Sequence, residues 1–398
     1  MAKSLHIGIA LELSYEYARA VLRGIVSYAR PSRPWVFHLL EARPEKFAAN
    51  QGMKHLDGVI GTLIFKEMTD HLKHLGVRAV NISHQRRNTD VARVGANDFD
   101  IGRIAARYFL DRGYTHFGFV GNRIMANSCD RESSYAHTLA EASMNYSSLE
   151  TWISEQRLEA ADQYEQMQRW LTAMPRPLAL FAANDSFAWS ILEVCRDAAI
   201  AVPESVSVVG VDNDPMICLL SSPQLSSIAV PAERIGYEAA AMLDGIFTGR
   251  TPPAEPLLLP AKEVVTRQSS NVLAIGDGEL ALAVKYIRQH AGDRIGVRDV
   301  VKATGVPRRS LERKFRQMLG RSPLEEIRRS RLERVRELLV NTDLAMPDVA
   351  ERSGFDSAVR LTTVFREEMG MTPTGYRRQY RMVGAGQGGE KEPIARAG

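Results

Sequence analysis

The chain has 398 residues, of which 45% are hydrophobic and 25% charged, and its formal net charge is +4. A chain of this length is expected to form two or more domains with large cores, and the composition is that of an ordinary soluble protein. No apolar run reaches the roughly 18 residues of a membrane-spanning helix, and the amino terminus lacks the pattern of an export signal. We therefore predict a cytoplasmic protein without a membrane partner.

The charge is unevenly distributed along the chain. Residues 279–383 contain 22 Lys and Arg against 14 Asp and Glu, which is +8, whereas residues 1–278 contain 27 against 31, which is −4. A basic segment of this kind predicts a polyanionic partner for the last quarter of the chain only.

Through the first three-quarters, short β-branched or apolar runs alternate with helix-like segments. The order begins "LHIGIAL", "YEYARAVLRGIVSYAR", "WVFHLLEA", "DGVIGTLIF", and it restarts after "NDFDIGRIAARYFLDRG" with "THFGFVG", "ALFAAND" and "VSVVGVDND". This alternation predicts an α/β fold of parallel sheets covered by helices on both faces, with helices near residues 131–145 and 186–199. We expect two doubly wound lobes in succession, each of about 110 residues.

Polar side chains follow the predicted strands at their carboxyl ends, where doubly wound sheets bind ligands. Carboxylates and amides suit a polyhydroxylated ligand because each can bridge neighbouring hydroxyls, and an aromatic ring can cover an apolar sugar face. Such residues are also common helix caps, so both interpretations are open for any one of them. The candidate ligand residues in these positions are Glu12, Ser14, Tyr15, Asn184, Asp185 and Asp212.

Signals of enzymatic chemistry are missing from the sequence. The motifs GxxxxGK[ST], HExxH and GxSxG do not occur, and no GxGxxG follows a predicted strand. Cys129, Cys195 and Cys218 lie far apart without metal-ligand spacing, which indicates a reducing compartment and no zinc site. We expect no catalytic residues, no metal and no cofactor.

The front region resembles the effector-binding domain of the LacI/GalR regulators, itself similar to periplasmic sugar-binding proteins. The resemblance rests on "VGNRIMANSCDRESSYAHTL", "LALFAANDSFAWSILEVC", "VPESVSVVGVDNDP" and "SSPQLSSIAVPAERIGYEAAAMLDGIFTGR", and it covers roughly residues 5–268. It implies a two-lobed, periplasmic-binding-protein-like sensor in which Arg131, Asn184 and Asp212 hold sugar hydroxyls. The Asn and the Asp follow successive parallel strands, so their side chains can converge on one ligand.

The last quarter is helix-like and contains an internal repeat. Residues 299–323, "DVVKATGVPRRSLERKFRQMLGRSP", and residues 348–373, "DVAERSGFDSAVRLTTVFREEMGMTP", share D-V, [TS]-G-[VF], F-R and a final G and P. The second copy has one extra residue in or after the turn. Each copy predicts a short helix, a turn at a glycine and a longer helix, which together form a helix-turn-helix, and the segment between the copies predicts one long connecting helix.

The second helix of each copy has a polar face that suits double-stranded DNA. In the first copy, Arg309, Arg313 and Arg316 fall opposite Leu311 and Phe315 on a helical wheel. A charged face is often only a solvated surface, but two such units held by one connector can enter successive major-groove segments. The candidate DNA contacts are Arg308, Arg309, Ser310, Arg313 and Arg316 in the first copy and Ser357, Val359, Arg360, Thr363 and Arg366 in the second.

The two candidate sets differ in chemistry. Arginine suits bidentate contact with guanine, so Arg309 and Arg313 are expected to read bases while Arg316 holds phosphate. The methyl groups of Val359 and Thr363 suit the thymine methyl, so the second helix is expected to give mostly apolar and phosphate contacts.

The doubled unit resembles the DNA-binding domain of the AraC/XylS family over about residues 282–380, most specifically in the ending F-R-x3-G-x2-P-x2-Y-R. Leu361 and Thr363 stand where that family usually has Phe and Arg. A LacI-type sensor ahead of an AraC-type reader is similar to the bacterial xylose-operon regulators. This order implies an activator that works with RNA polymerase, a pentose effector such as D-xylose, and a homodimer; Glu12, Ser14 and Tyr15 would decide which sugar fits.

The expected domains are a sensor at 1–268, a linker at 269–278, an AraC-type DNA-binding domain at 279–383 and a disordered tail at 384–398. We expect a sugar in the cleft to change the lobe arrangement and so the placement of the readers on DNA. A second hypothesis is a sensor that has lost its sugar and acts as a dimerisation or protein-interaction module. A third hypothesis is an enzyme, but the sequence offers neither a nucleophile paired with a general base nor a set of metal ligands.

Overall fold

The protein, seen in a computed structural model, divides into two compact units between residues 274 and 275. Among the residues that the structure describes, no helix is both long and apolar enough to cross a membrane. The linker predicted at 269–278 lies partly outside the described residues, and the tail predicted at 384–398 lies wholly outside them. The described residues are 4–29, 35–42, 46–47, 51–83, 85, 91–151, 157–272 and 278–380.

The described strands of the first unit form two six-stranded sheets, ordered β11-β5-β4-β3-β1-β2 and β12-β10-β9-β8-β6-β7. Their pairings are parallel except for β10 with β12. The strands of the first sheet are β1 (Leu5–Ala10), β2 (Trp35–Leu40), β3 (Gly58–Gly61), β4 (Arg78–Asn81), β5 (Ala92–Ala96) and β11 (Leu257–Leu259). Those of the second are β6 (His116–Gly121), β7 (Tyr146–Glu150), β8 (Leu178–Ala182), β9 (Val206–Val211), β10 (Ser226–Ile228) and β12 (Val264–Val265).

Helices connect these strands, and the apolar strand sequences are buried between them. Every residue of β8 and β9 is buried, as expected for parallel strands covered on both faces. The helices predicted near 131–145 and 186–199 begin a few residues earlier, at 126 and 185. The α-helices of this unit are α1 (Glu16–Ala29), α2 (Lys66–His74), α3 (Asp98–Leu110), α4 (Ala126–Glu141), α5 (Arg157–Ala173), α6 (Asp185–Asp197), α7 (Pro215–Leu220) and α8 (Ala232–Phe247).

The α/β prediction is confirmed, but the lobes do not follow each other in simple succession. Helix α3 packs on the second sheet, whereas α8 and β11 return to complete the first, where β11 pairs with β5. The chain therefore crosses between the lobes after β5, after β10 and after β11. The alternation of strands and helices could not reveal this return, because the crossing segments keep the same local pattern as connections within one lobe.

The second unit consists of helices among its described residues, and its repeat is confirmed. Gly305 (φ +70°) and Gly354 (φ +69°) adopt the left-handed backbone of the two turns. The second helix starts three residues after Gly305 but four after Gly354, so the extra residue lies in the second turn. The helices are α9 (Gly278–Gln289), α10 (Val297–Thr304), α11 (Arg308–Leu319), α12 (Pro323–Asn341), α13 (Met346–Glu351), α14 (Ala358–Met369) and α15 (Pro373–Tyr380).

Each copy of the repeat has its own apolar anchor. Phe315 of α11 and Phe365 of α14 are fully buried, and α12 is the predicted long connector. The buried carboxylate of Glu326 on α12 accepts a hydrogen bond from Arg321 Nε at 2.5 Å, and this contact fixes the loop between α11 and α12. The buried phenylalanines hold the opposite, polar face of each second helix toward solvent, because a helix that buries one stripe exposes the other.

Candidate ligand cleft and nucleic-acid interface

Arg131 is a buried cation held by two fixed acceptors. It lies on α4 and is 6% exposed. Its Nε donates to Asp98 Oδ1 at 2.8 Å, and its Nη1 donates to the carbonyl oxygen of Ala183 at 2.5 Å. Burial alone would lower the pKa of Arg131, but Asp98 and Asp212 raise it, so the guanidinium stays charged. Because two acceptors fix one plane, the group keeps its orientation without a ligand.

The position of Arg131 depends on a close contact between α3 and α4. A Cβ on Gly102 would lie 2.1 Å from the backbone oxygen of Arg131, so only glycine permits this approach. Asp98 lies four residues earlier on the same face of α3, which brings its carboxylate to the guanidinium. Asn97 caps the helix by accepting the N–H of Asp100 at 3.3 Å. The local order N-D-x-D-x-G therefore fixes Asp98 and, through it, Arg131.

Asp212 follows β9 in a strained backbone conformation. Its φ is +104°, and that of Asn213 is +52°, in a region that residues other than glycine rarely adopt. The carboxylate is half-buried and accepts no hydrogen bond from any described residue. Burial raises its pKa to about 6, with Arg131 opposing the rise and Asp98 and Asp214 adding to it. An oriented carboxylate with free lone pairs is suited to accept hydrogen bonds from hydroxyl groups.

Asn184 has one half of its amide engaged and the other available. Its Oδ1 accepts the N–H of Phe187 at 3.0 Å and so caps α6. Its Nδ2 has no partner within the described part of the chain, and the residue is half-buried. The predicted trio thus comes together at the strand ends of the second lobe: Arg131 contacts the residue before Asn184, and Arg131 and Asp212 interact electrostatically.

The prediction that Asp185 contacts a ligand requires correction. Asp185 is 1% exposed, and its Oδ1 accepts the hydroxyl of Ser227 at 2.6 Å. Its Oδ2 accepts the backbone N–H of Asp214 at 2.8 Å. Both carboxylate oxygens therefore face into the second lobe, where they hold α6 against β10 and the loop after β9.

The first-lobe candidates Glu12, Ser14 and Tyr15 are exposed, with Tyr15 at 55%. Ser14 Oγ donates to Glu12 Oε1 at 2.9 Å, and no described contact joins the three residues to Arg131, Asn184 or Asp212. They sit on the loop after β1.

Tyr17 and Asp98 are the site residues that the sequence interpretation missed. The Tyr17 hydroxyl donates to the carbonyl of Ile82 at 3.0 Å, and burial, Asp212 and Asp98 raise its pKa, which places the ring beside the trio. Tyr15 and Tyr17 are only two positions apart. Which of their rings lies beside the trio depends on the direction of α1, which the sequence alone does not give. Asp98 could have been predicted from the sequence, because an "ND" pair directly after a strand places a carboxylate at the start of the next helix.

Two hydrogen bonds join the lobes across the cleft. The backbone N–H of Glu16 donates to Asp214 Oδ2 at 3.2 Å, and the N–H of Ala126 donates to the carbonyl of Gln85 at 2.9 Å. Both bonds start at the first residue of a helix, where backbone N–H groups have no partner inside the helix.

On α11, three arginines face solvent without an ion pair. Arg309, Arg313 and Arg316 are exposed, and no salt bridge involves them within the described part of the chain. Arg308 is also exposed, but its Nε contacts Glu312 at 2.9 Å. Ser310 is half-buried. The three exposed arginines that no described salt bridge engages therefore form a basic face, although Arg316 interacts electrostatically with Glu325 of α12.

The corresponding face of α14 is mixed. Val359 is 77% exposed, and Arg360 and Arg366 are exposed without a salt bridge in the described region. Ser357 Oγ accepts the N–H of Arg360 at 3.2 Å and so caps the helix. Half-buried Thr363 donates its hydroxyl to the carbonyl of Val359 at 3.1 Å, which leaves its methyl group free.

Other charges in the second unit are used for packing. Lys314 of α11 contacts Glu279 of α9 at 2.8 Å, and Arg328 of α12 contacts Glu367 at 3.0 Å and Glu368 at 3.2 Å on α14. These pairs use part of the basic charge of the second unit to hold its helices together. No group of three or more metal-ligating side chains occurs among the described residues.

Comparisons with known proteins define the class. A family described as periplasmic binding protein-like domain matches residues 106–270, and one described as helix-turn-helix domain matches residues 300–379. The chain is a DNA-binding transcription regulator that joins a periplasmic-binding-protein-like domain to a helix-turn-helix domain.

The chain is homologous to the xylose operon regulatory proteins. It is 27% identical to that of Escherichia coli K12, over 94% of this chain and 97% of the relative. It is 25% identical to that of Haemophilus influenzae, over 93% and 97%. A solved structure of the xylose-binding transcription activator xylR aligns with a TM-score of 0.62 and 26% identity, covering 96% of this chain and 100% of the other.

Proposed function

We propose that the first unit binds D-xylose, or a closely related pentose, between its lobes and that the bound sugar controls DNA binding by the second unit. The observation that carries the proposal is the fixed Arg131, which lies beside the Asp212 carboxylate and near the Asn184 amide nitrogen, neither of which has a hydrogen-bond partner among the described residues. The proposal is also supported by relatives that are named as xylose operon regulators and as xylose-binding.

Each group of the trio has a distinct task toward a neutral polyol. Arg131 donates from Nη2, which the protein leaves free in the described region, Asp212 accepts hydrogen bonds from two adjacent hydroxyls, and Asn184 donates from Nδ2. Glu12 and Ser14 supply polar contacts from the first lobe when it closes, and the Tyr15 ring covers an apolar sugar face. Because the trio is already oriented, little of the binding free energy is spent on ordering it.

For DNA, the free arginines of α11 are proposed to read one major-groove segment, with Arg309 and Arg313 on guanine and Arg316 on phosphate. In α14, Val359 and Thr363 contact thymine methyl groups. The remaining contacts, to the backbone, come from Arg308, Ser310, Ser357, Arg360 and Arg366. We further propose that the protein acts in the cytoplasm as a homodimer that activates a sugar-catabolic operon with RNA polymerase, in keeping with the word activator in the relative's name.

A sugar panel tests the cleft directly. The full-length protein is heated with D-xylose, L-arabinose, D-ribose, D-glucose and D-galactose, and the melting temperature is followed against sugar concentration. A ligand that binds only the folded state raises the melting temperature progressively. We expect D-xylose to do so and Asp212→Asn to need a much higher sugar concentration for the same rise in melting temperature. If no sugar changes the melting temperature or gives heat in calorimetry, the first unit is a dimerisation or protein-interaction module instead.

A further inference from the structure

The loop after β9 contacts three different parts of the first unit through three consecutive residues. Asp212 faces the proposed sugar site, as described above. Asp214 reaches the other lobe, where its Oδ2 accepts the N–H of Glu16 at 3.2 Å. Between them, Asn213 Oδ1 accepts a hydrogen bond from Nη2 of Arg267 at 2.8 Å. The loop therefore carries the carboxylate proposed to bind the sugar, and it also contacts the opposite lobe and the carboxyl-terminal segment of this unit.

Arg267 belongs to the segment that leads out of the first unit. Its Nη1 donates to the carbonyl of Leu225 at 2.9 Å, and its backbone N–H donates to Ser226 Oγ at 2.7 Å. Two residues further on, Ser269 is fully buried and donates its hydroxyl to the carbonyl of Val208 at 2.7 Å. The segment is thus bound to β9 and β10, and the first helix of the second unit begins shortly after it, at Gly278.

The backbone of this loop is strained, so its conformation depends on the contacts that hold it. Two adjacent non-glycine residues hold positive φ angles, and each such residue costs on the order of 1–3 kcal/mol unless its surroundings maintain it. Those surroundings are hydrogen bonds: the N–H of Asn213 donates to Ser227 Oγ at 2.9 Å, and the N–H of Asp214 donates to Asp185. A ligand that pulls on Asp212, or a lobe movement that pulls on Asp214, therefore changes the position of the Asn213 side chain.

We infer that Arg267 is a positioning residue that transmits sugar binding from the loop Asp212–Asp214 to the segment joining the two units, and so to DNA affinity. This inference rests on the proposed sugar site. It assigns Arg267 no contact with the sugar or with DNA. Its effect is on the coupling between the two binding events, which is a free energy distinct from either affinity.

A double-mutant cycle on the full-length protein tests the inference. Arg267→Ala, Asn213→Ala and the double variant are compared by the ratio of DNA dissociation constants without and with saturating D-xylose, on a DNA sequence that the wild type selects from a random library. We expect each single variant to keep D-xylose affinity within about threefold but to reduce the ratio about fivefold or more, and the double variant to be no worse than either. Arg196→Ala, which removes an exposed arginine paired with Asp197, is the matched control and should keep the wild-type ratio.

The outcomes separate this inference from the proposed function. If D-xylose changes DNA affinity in the wild type and equally in Arg267→Ala, the inference is wrong while the sugar site stands. If Arg267→Ala loses D-xylose binding altogether, the arginine is part of the binding site and not a transmitter, which also overturns the inference. If no sugar affects the wild type, the proposed function fails first. Because Asn213 holds a positive φ of +52° that alanine tolerates less well than asparagine, Asn213→Gly removes the bond from the loop side without added strain and gives a second test if Arg267→Ala fails to fold.

Discussion

Arginine is used in opposite ways in the two units. Arg131 in the cleft is 6% exposed and bound to two acceptors, whereas Arg309, Arg313 and Arg316 on α11 are exposed and unpaired among the described residues. A neutral sugar offers only directed hydrogen bonds, so its site needs donors and acceptors fixed in advance. DNA offers a dense row of charges and base edges, so its reader gains from guanidinium groups that have no competing protein partner.

The largest effect is expected where the buried pair is broken. Arg131→Ala leaves Asp98 without its cation in a buried position, which should lower the free energy of unfolding by about 3–5 kcal/mol. Sugar affinity should fall at least about 30-fold, since removal of a charged partner typically costs about 2–5 kcal/mol of binding. Chemical denaturation and calorimetry measure the two quantities.

Arg103→Ala is the control for that variant, because Arg103 forms an exposed pair with Asp100 at 2.6 Å on the same helix as Asp98. If Arg103→Ala lost as much stability or sugar affinity as Arg131→Ala, the burial of the Arg131–Asp98 pair would not be the cause of the larger effect expected there.

The same contrast explains what the sequence could reveal. The DNA-contacting faces each lie on one helix, so the helical periodicity alone shows that Arg309 and Arg316 lie opposite the buried stripe. Both repeats and the connecting helix were predicted. The cleft is assembled from distant segments, and the partner of Arg131 lies 33 positions away. The strand-end rule found Asn184 and Asp212, whereas Arg131, which lies on a helix, came from the family resemblance alone. It could not tell Asp185, which turns inward to Ser227, from a ligand residue.

On the DNA side, the largest effect should come from the base-reading arginines. Arg309→Ala and Arg313→Ala should each lower discrimination at one or two base positions by about 1–3 kcal/mol, because a bidentate contact to guanine is lost. Arg308→Ala is matched in charge, but its guanidinium already contacts Glu312. It should leave base preferences unchanged. Selection from a random DNA library, followed by sequencing, measures all three; uniform weakening without altered preferences would place these arginines on phosphate.

A pH effect should distinguish the cleft from the reader. Burial raises the pKa of Asp212 to about 6, so the free carboxyl is ionised above pH 6 and protonated below it. Sugar hydroxyls donate to the ionised form, which lowers the pKa in the complex. Sugar affinity should therefore be full above pH 6 and fall by up to about tenfold per pH unit below it, until the pKa of the complex is reached.

Asp212→Asn isolates that titration from Asp98, whose pKa burial also raises. Calorimetry with D-xylose from pH 4.5 to 8 should give the variant weaker binding with a flatter pH profile. An unchanged slope in the variant would assign the titration to Asp98 instead.

The smallest effect is expected at Arg316. If it holds a phosphate, Arg316→Ala should weaken binding to all DNA sequences alike and reduce the slope of log affinity against log salt by about 1. Lys314→Ala removes a charge that is engaged with Glu279 and should leave the slope unchanged. Fluorescence titrations at several salt concentrations give both slopes, and equal slopes for wild type and Arg316→Ala would contradict the phosphate contact.

A sugar in the cleft must change the DNA affinity of the second unit if the two units work together as proposed. The direct measurement is the dissociation constant of the full-length protein for its selected DNA sequence, with and without saturating D-xylose. We predict a change of about fivefold or more in the wild type and a much smaller one in Asp212→Asn at the sugar concentration that saturates the wild type. An unchanged dissociation constant with D-xylose and with every other sugar of the panel, in a protein that binds the DNA tightly, would contradict the account.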